Sequence, residues 1–416
     1  MFLAAGPWGV GMLRAPIQEA LPMTGLPPQG AEPLNRIRGL LPDLAGQAAE
    51  SERLRRPTDA AIRMLEEAGL FRMMVPRTFG GMELDLDTFL EVGLTLGEAD
   101  ASLAWVASFY VEHNWMLCQF PESFQRELYA EKSHVLAPGV IAPTGQAAEE
   151  NGGYRLRGRW QWGTGVMHAS WMIVGGLGGI APGETPTPDD LRFFALPIED
   201  VKVDDTWYVD GMVGTGSNDI LIEGAFVPAE RSVSILEMLE GRAPGARLHD
   251  GPLYHTPMIP ILLLAASMPI VGQARAVVQG FRERLMTYVR PGPVLIKQGE
   301  KPASQMRLAK ADVEIHQAEL VLRGVASEVR GLRNRATPVQ RARWSASIAH
   351  AIHQARRVIQ DVSEASGASA HFQKHALQRA LRDANVASCH LAFDLDAQRE
   401  VYGKLLLGRK GVVGMY

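Results

Sequence analysis

The stretch that decides the fold lies near the C-terminal end of the chain: His375-Ala-Leu-Gln-Arg-Ala-Leu-Arg-Asp-Ala-Asn-Val-Ala-Ser-Cys-His-Leu-Ala-Phe-Asp394. Apolar side chains recur in it every three or four residues, which predicts an amphipathic helix. His390 and Asp394 are four residues apart, so a continuous helix would place both on one face. There the carboxylate can orient the imidazole as a general base. A His and an Asp at this spacing are more often only a solvated helix face, and the pair alone leaves both interpretations open.

Three helical stripes follow one another in the C-terminal half of the chain. They consist of Val271, Ala274, Val278, Phe281, Leu285 and Val289, then of Ile348, Ile352, Ala355, Ile359 and Val362, and finally of Leu377, Leu381, Ala384, Ser388, Leu391 and Leu395. A further helix is expected over about 304–332. Four long amphipathic helices bury their apolar faces most simply in a four-helix bundle.

A zone with a different period precedes the bundle. In Tyr154-Arg-Leu-Arg-Gly-Arg-Trp-Gln-Trp162 apolar and polar side chains alternate, which is typical of a half-buried strand. The fold class is therefore mainly α with a central β domain, a barrel or sandwich inserted between helical parts. We divide the chain into a loose tail over 1–31, a helical domain over 32–134, a β-barrel domain over 135–245 and a helical bundle over 246–416.

The composition narrows the class of protein. With 416 residues, of which 46% are hydrophobic and 21% charged, the chain is typical of soluble globular proteins with several cores. A formal net charge of -4 gives no reason to expect nucleic acid or a membrane surface as partner, and no apolar run predicts a spanning helix. The only cysteines, Cys118 and Cys389, form no disulfide framework, so we expect a cytoplasmic location.

Other candidate sites give weaker signals. His113, followed by Asn114-Trp115 in an aromatic-rich helix, is either a core residue or a ligand contact. His350 and His353, like His371 and His375, have helical spacing, but the bundle lacks the paired Glu-x-x-His units of carboxylate metal sites, so we expect no metal. A Gly-x-Ser-x-Gly elbow is also absent from the sequence, which argues against a hydrolase.

The order of helical domain, β domain and four-helix bundle resembles the acyl-CoA dehydrogenase fold over about 34–408. Four motifs carry the resemblance: Val75-Pro76 with Phe79-Gly80-Gly81, Asp100-Ala-Ser102, Tyr154-x-Leu156-x-Gly158-x-Trp160, and Gly211-Met-x-Gly214-Thr-Gly216-Ser-Asn218. The dehydrogenases have a catalytic Glu after the Arg-Asp pair of the last helices. Here Arg382-Asp383 is followed by Ser388-Cys389-His390 instead.

These residues are similar to a different branch, the oxygenase components of two-component flavin-dependent monooxygenases that hydroxylate phenols such as p-hydroxyphenylacetate and steroid-derived phenols. The strings that carry this likeness are His168-Ala-Ser-Trp171, Trp207-Tyr-Val209, and Glu364-Ala-Ser-Gly-Ala-Ser369. The resemblance implies that reduced FMN, or FAD, arrives from a separate NAD(P)H-dependent reductase and reacts with O2. The resulting C4a-hydroperoxyflavin then hydroxylates a small aromatic substrate.

The resemblance also assigns roles to residues. His390, oriented by Asp394, is the expected base for the phenol, and the Thr164 hydroxyl is expected near flavin N5. His113 and Trp115 are the expected substrate contacts. The expected flavin contacts are Trp105, Gly139, Val140, Ile141, Trp162, Gly163, Thr164, Arg290, Gly367, Ala368, Ser369 and His390, in a homotetramer whose subunits complete each other's sites.

Two alternatives stay open from the sequence. An N- or S-oxygenase of the same fold needs no phenol-deprotonating base. A catalytically inactive relative is conceivable because Gly139, Val140 and Gly163 stand where the family carries serines.

Overall fold

The computed structural model describes residues 28–179, 185, 187–290 and 296–410. An N-terminal helical part comes first. Its helices are α1 Pro28–Leu54, α2 Asp59–Glu67, α3 Leu86–Ala99, α4 Ala101–Leu117 and α5 Glu122–Leu128. Helix α1 starts at Pro28, so the predicted tail over 1–31 is wrong for its last four residues, and residues 1–27 lie outside the described range.

Helix α4 is the central helix of this part. The Asp100 carboxylate caps it by accepting a hydrogen bond from Leu103 N at 2.7 Å. Nearly every side chain of α4 is buried, polar ones included. A helix that is buried on all sides lies between other elements, and α4 contacts both α3 and the first bundle helix.

The middle part is a seven-stranded sheet. Its strands are β1 Gly139–Glu150, β2 Gly153–Gly163, β3 Trp171–Gly178, β4 Leu191–Pro197, β5 Lys202–Asp204, β6 Asn218–Pro228 and β7 Ser232–Ser234, in the order β5-β6-β2-β1-β3-β4-β7. All neighbours are antiparallel except β1 and β3. The predicted alternation in β2 is confirmed at Leu156 and Trp160, which are fully buried in the core of this part. It is wrong at Trp162, which is 54% exposed, because the pairing of β2 with β6 shifts register between Trp160 and Gly163. The short helices α6 Ile235–Leu239 and α7 Pro244–Leu248 then lead to the bundle.

The bundle contains α8 Met258–Thr287, α9 Pro302–Leu332, α10 Pro338–Ser366, α11 Ala376–Ser388 and α12 Leu395–Leu406, with the short strands β8 Val289–Arg290 and β9 Ile296–Lys297 after α8. Helix α8 is long and apolar enough to cross a membrane by length and composition alone, contrary to the expectation from the sequence that no helix is. Since 83% of its most apolar stretch is buried inside the protein, α8 is the core helix of the bundle.

The decisive stretch is not one continuous helix. Helix α11 ends at Ser388, a 3-10 turn follows over Leu391–Phe393, and α12 begins at Leu395. The third predicted stripe is therefore split between two helices. The break places His390 in a loop, where its backbone adopts φ -58° and ψ 138°.

Candidate active site

A row of aromatic rings along α4 is the centre of the candidate site. Trp105 and Phe109 have ring centroids 5.0 Å apart, and Phe109 and His113 follow at 5.7 Å. These residues are spaced by four, so they share one face of the helix. At the Trp105 end, the His390 ring joins the row edge-on at 5.9 Å. Two predicted site residues on distant elements, Trp105 and His390, therefore meet.

The side chain of His390 is accessible to solvent, yet it is surrounded by enough protein that burial lowers its pKa. A side chain in a concave surface has both properties. Its Nδ1 accepts a hydrogen bond from Ala392 N at 3.2 Å, which caps the following 3-10 turn. The neutral ring consequently carries its proton on Nε2. His390 thus presents an N–H donor, and it becomes a base only when the Ala392 contact opens.

The predicted pairing of Asp394 with His390 is wrong. Asp394 Oδ1 accepts hydrogen bonds from Asp396 N and Ala397 N, both at 3.0 Å, and so caps α12. The helix break explains the error, because the four-residue spacing brings two side chains together only within a continuous helix. Asp394 therefore stabilises the helix that follows the site.

The loop after β2 packs against the same helix. A Cβ at Gly165 would lie 2.8 Å from the Tyr110 hydroxyl and 2.9 Å from Val106 Cγ1, so α4 touches the backbone there. The adjacent Thr164 is buried, and its hydroxyl is 2.9 Å from Ser217 Oγ, which is 2.7 Å from Thr215 Oγ1. Thr215 donates to Met212 O at 2.9 Å. Along this row of hydrogen bonds Thr164 donates to Ser217, Ser217 donates to Thr215, and Thr215 donates to Met212 O. The Thr164 oxygen is therefore free to accept a hydrogen bond.

Strand β1 enters the site at the other end of the ring row. A Cβ at Gly139 would lie 2.8 Å from His113 Nε2, so the imidazole occupies the space that a side chain at this position would need. Val140 is buried in the core of the β part, and Ile141 packs on the main core. Gly163 likewise has little room for a side chain, since a Cβ would lie 2.5 Å from Ile220 Cδ1.

A second group of predicted contacts lies at the end of α8. The exposed loop Gly367–Ser369 adjoins Arg284, whose guanidinium donates to Ser366 O at 3.1 Å and to Ser369 Oγ at 3.4 Å and lies over the Tyr288 ring. Arg284 is buried, and its Nε has no partner. Gly367 has φ +72°, and a Cβ there would meet open space. The side chain of the predicted Arg290 lies outside the described residues.

Besides Gly367–Ser369, the predicted contacts Trp115 and Trp162 are not brought to the ring row. Trp115 is fully buried and donates to Leu253 O at 3.3 Å, because two residues along a helix turn it nearly opposite to His113. Trp162 is 54% exposed and contacts the Trp207 ring. Arg284 and the loop Gly367–Ser369 lie apart from the aromatic row of α4. In the part of the chain that the structure describes, neither a hydrogen bond nor a ring contact joins them to it.

Phe109 and Arg284 were not predicted from the sequence. The spacing of four between Trp105 and His113 was the available signal for Phe109. Arg284 gave no signal, since only the fold brings it to the loop after α10. Metal is not supported by geometry: across the described ranges, no three His, Cys, Asp or Glu side chains are grouped to hold an ion.

Comparison with known proteins identifies the class first. Residues 264–395 match the family described as Acyl-CoA dehydrogenase, C-terminal domain. The structure of a 3-HSA hydroxylase from Rhodococcus sp. RHA1 superposes with a TM-score of 0.88 at 32% identity, covering 93% of this chain and all of that one. XiaF from Streptomyces sp., solved with FADH2 and glycerol, gives 0.85 at 26% identity and covers 92% of this chain and 97% of its own. The fold is that of the acyl-CoA dehydrogenases.

Sequence relatives then identify the branch. A pigment production hydroxylase from Rhodococcus sp. is 34% identical over 90% of this chain and 96% of its own length. The flavin-dependent monooxygenase oxygenase subunit HsaA from Rhodococcus jostii is 34% identical over 89% of this chain and 97% of its own. The chain therefore belongs to the family of flavin-dependent monooxygenase oxygenase subunits with the acyl-CoA dehydrogenase fold.

Proposed function

We propose that this chain is the oxygenase component of a two-component system that hydroxylates a phenolic or other electron-rich aromatic substrate with reduced flavin and O2. One observation carries the proposal: the His390 ring, exposed and kept neutral by its surroundings, lies against Trp105 on the helix that also supports the Thr164 loop. A group that can polarise a phenol and a loop with a hydroxyl that suits a cofactor nitrogen thus lie against the same helix.

The residues present fit a flavin. Trp105 offers an aromatic surface and Thr164 an acceptor oxygen, while buried Arg284 and the open backbone at Gly367 suit an anionic phosphate. When bound, reduced flavin supplies the electrons that activate O2. We propose FMN as the cofactor. The FADH2 bound by XiaF makes FAD the alternative.

The role of His390 follows from its tautomer. The Nε2–H can donate to the phenol oxygen and so stabilise developing phenolate charge, which makes the ring carbon more nucleophilic. Opening of the contact with Ala392 N would allow the other tautomer, in which Nδ1 carries the ring proton and the free Nε2 accepts the phenol proton. The buried walls around Trp105 and Phe109 limit access of water, which favours transfer of oxygen to the substrate over loss of peroxide.

We also propose the partners. A separate NAD(P)H-dependent flavin reductase supplies the cofactor, as the name "oxygenase subunit" of the HsaA relative suggests. A homotetramer would let Gly367–Ser369 and Arg284 of one subunit complete the site of another. Exposed apolar side chains on α9 at seven-residue spacing, Met306, Val313 and Leu320, support such an assembly. The free thiols of Cys118 and Cys389 suit a cytoplasmic enzyme, and the formal net charge of -4 gives no attraction to nucleic acid or an anionic membrane.

The alternatives are less well supported. An N- or S-oxygenase would need no group to polarise a phenol, whereas His390 is placed to do so. An inactive relative would have no need for an exposed imidazole at the end of a buried aromatic row.

The test uses the purified full-length chain with chemically reduced FMN and labelled oxygen gas. We expect one atom of the label in a catechol-type product from at least one member of a panel of phenols. Amines and thioethers in the same assay test the second function. Peroxide as the sole product from every phenol would contradict the proposal.

A further inference from the structure

A buried carboxyl group that the proposed hydroxylation does not use lies at the far end of the ring row. Glu112 precedes His113 on α4 and is 2% exposed. It comes seven residues after Trp105, which on an α-helix places the two within about 20° of the same direction. Glu112 therefore belongs to the face of α4 that carries the ring row.

The contacts of His113 define what Glu112 does there. His113 Nδ1 is 2.8 Å from Ala137 O, and a carbonyl only accepts, so Nδ1 carries the proton. Nε2 is then an acceptor, and Glu112 Oε1 lies 3.4 Å from it. A protonated Glu112 can point its hydroxyl at Nε2. Its other oxygen, Oε2, is buried and without a hydrogen-bond partner.

The electrostatic surroundings keep this pair neutral. Desolvation raises the pKa of Glu112 well above its ordinary value and lowers that of His113 to about 4. Within the described residues, no Arg or Lys pairs with either side chain. A buried carboxyl without a cation costs stability, and such unpaired groups concentrate at functional sites.

We propose that Glu112 is a specificity-determining residue whose free oxygen, backed by His113, accepts a hydrogen bond from an uncharged hydroxyl or amide N–H on the aromatic substrate. This inference rests on the proposed function and narrows its substrate class. A substrate with a carboxylate at that position would place its charge beside a carboxyl oxygen in a dry region without a cation. Neutral aromatic alcohols and amides should therefore be favoured over aromatic acids.

The experiment compares two probes of nearly equal size, p-hydroxyphenylethanol and p-hydroxyphenylacetate. Their dissociation constants are measured without oxygen, on the full chain with reduced FMN, from quenching of tryptophan fluorescence. We expect the alcohol to bind roughly tenfold or more tightly than the acid. Glu112→Gln keeps a carbonyl acceptor and should keep the preference, whereas Glu112→Leu should abolish it by weakening alcohol binding roughly tenfold to a hundredfold.

A spectroscopic readout separates recognition from a merely structural role. The protonated carboxyl of Glu112 gives a C=O stretching band in the infrared that Glu112→Gln removes. Binding of the alcohol should shift that band, while a purely structural carboxyl would not respond. If Glu112→Leu does not fold, Glu112→Met, which keeps the length of the side chain, replaces it.

Equal binding of the two probes by the wild type, or an unchanged preference in the Leu or Met variant, would overturn the inference. The proposed function fails separately: if the alcohol is bound preferentially but neither probe nor any other phenol is hydroxylated, the specificity assignment stands and the hydroxylase assignment falls.

Discussion

The imidazole of His390 stands edge-on to the indole of Trp105, with ring centroids 5.9 Å apart and planes inclined by 66°. Trp105 belongs to α4 in the N-terminal helical part, and His390 follows α11 in the bundle. The contact therefore joins these two parts of the structure. The His390 ring is thereby held at one end of the aromatic row while its Nε2–H stays accessible.

Replacing His390 by Ala should lower hydroxylated product per reduced flavin by about 10² to 10⁴, the usual contribution of a positioned acid or base. His390→Gln retains an N–H donor and should keep more activity if donation is the main role. Single-turnover product analysis measures both. Because burial lowers the pKa of His390, the ring should stay neutral from neutral pH downward until that lowered pKa is reached. Below it the imidazolium keeps its Nε2–H, so wild-type hydroxylation should persist if donation is the main role and fall if the ring acts as a base. Near wild-type coupling in His390→Ala would remove His390 from the mechanism.

Asp394→Ala should weaken folding and leave chemistry nearly intact. Loss of the cap on α12 costs about 0.5–2 kcal/mol, whereas Asp394→Asn keeps a capping oxygen and should cost less. Urea unfolding measures the free energy, and product per flavin in the folded variant measures coupling. A loss of coupling as large as that of His390→Ala, without loss of stability, would restore the idea that Asp394 orients the imidazole.

Trp105 lies in the site as predicted, whereas Asp394 caps a helix instead of orienting His390. The two residues show what the sequence can and cannot predict here. The helical period, the alternation in β2 and the family motifs were enough for the fold and for Trp105 and His113 as site residues, whereas the ring row that Phe109 completes was not predicted. The helix break at Cys389 was not predicted, since Leu391 and Leu395 continue the stripe across it. The contacts of Arg284 and the burial of Glu112 depend on neighbouring elements, which no local pattern encodes.

The neutral pair Glu112 and His113 should make stability depend on pH in two opposite directions. From pH 6.5 down to about 4 the unfolded chain protonates His113 while the folded chain does not, so unfolding becomes easier as pH falls. The slope is about 1.4 kcal/mol per pH unit for one group. Above pH 4.5 the folded chain holds the Glu112 proton that the unfolded chain releases. The contribution of Glu112 therefore lowers the free energy of unfolding as pH rises.

Urea unfolding across pH 4 to 8 tests this pair. His113→Gln should remove the slope on the acid side, and Glu112→Gln should remove the opposing one. Curves of the same shape for wild type and both variants would show that other groups dominate.

The proposed homotetramer predicts a mass of four chains by light scattering at micromolar concentration. Val313→Glu and Leu320→Glu place charges on the apolar stripe of α9 and should shift the mass toward smaller species. Arg307→Glu, about 120° around the same helix from Val313 and about 140° from Leu320, is the matched control and should leave the mass unchanged. A monodisperse wild-type monomer would contradict the assembly.

The hydroxyl of Thr164 is the most specific cofactor contact that the structure suggests. Its proton is directed to Ser217 by the chain of hydroxyls ending at Met212 O, so its oxygen is available as an acceptor. Gly163 and Gly165 on either side offer no alternative side chain. Thr164→Val removes the acceptor with little change in shape, and a cofactor donor left unpaired costs about 1–3 kcal/mol. The oxygenated flavin should then decay roughly tenfold to a hundredfold faster and release more peroxide.

Stopped-flow absorbance measures that decay, with Thr164→Ser as the control that keeps the hydroxyl and should behave like the wild type. The rate of reaction with oxygen should change little in either variant, because the hydroxyl acts after oxygen has added. If Thr164→Val leaves the lifetime unchanged while Thr164→Ser also matches the wild type, the stabilising contact lies in the backbone or in another residue. Ser217, one step further along the hydroxyl chain, would be the next side chain to replace.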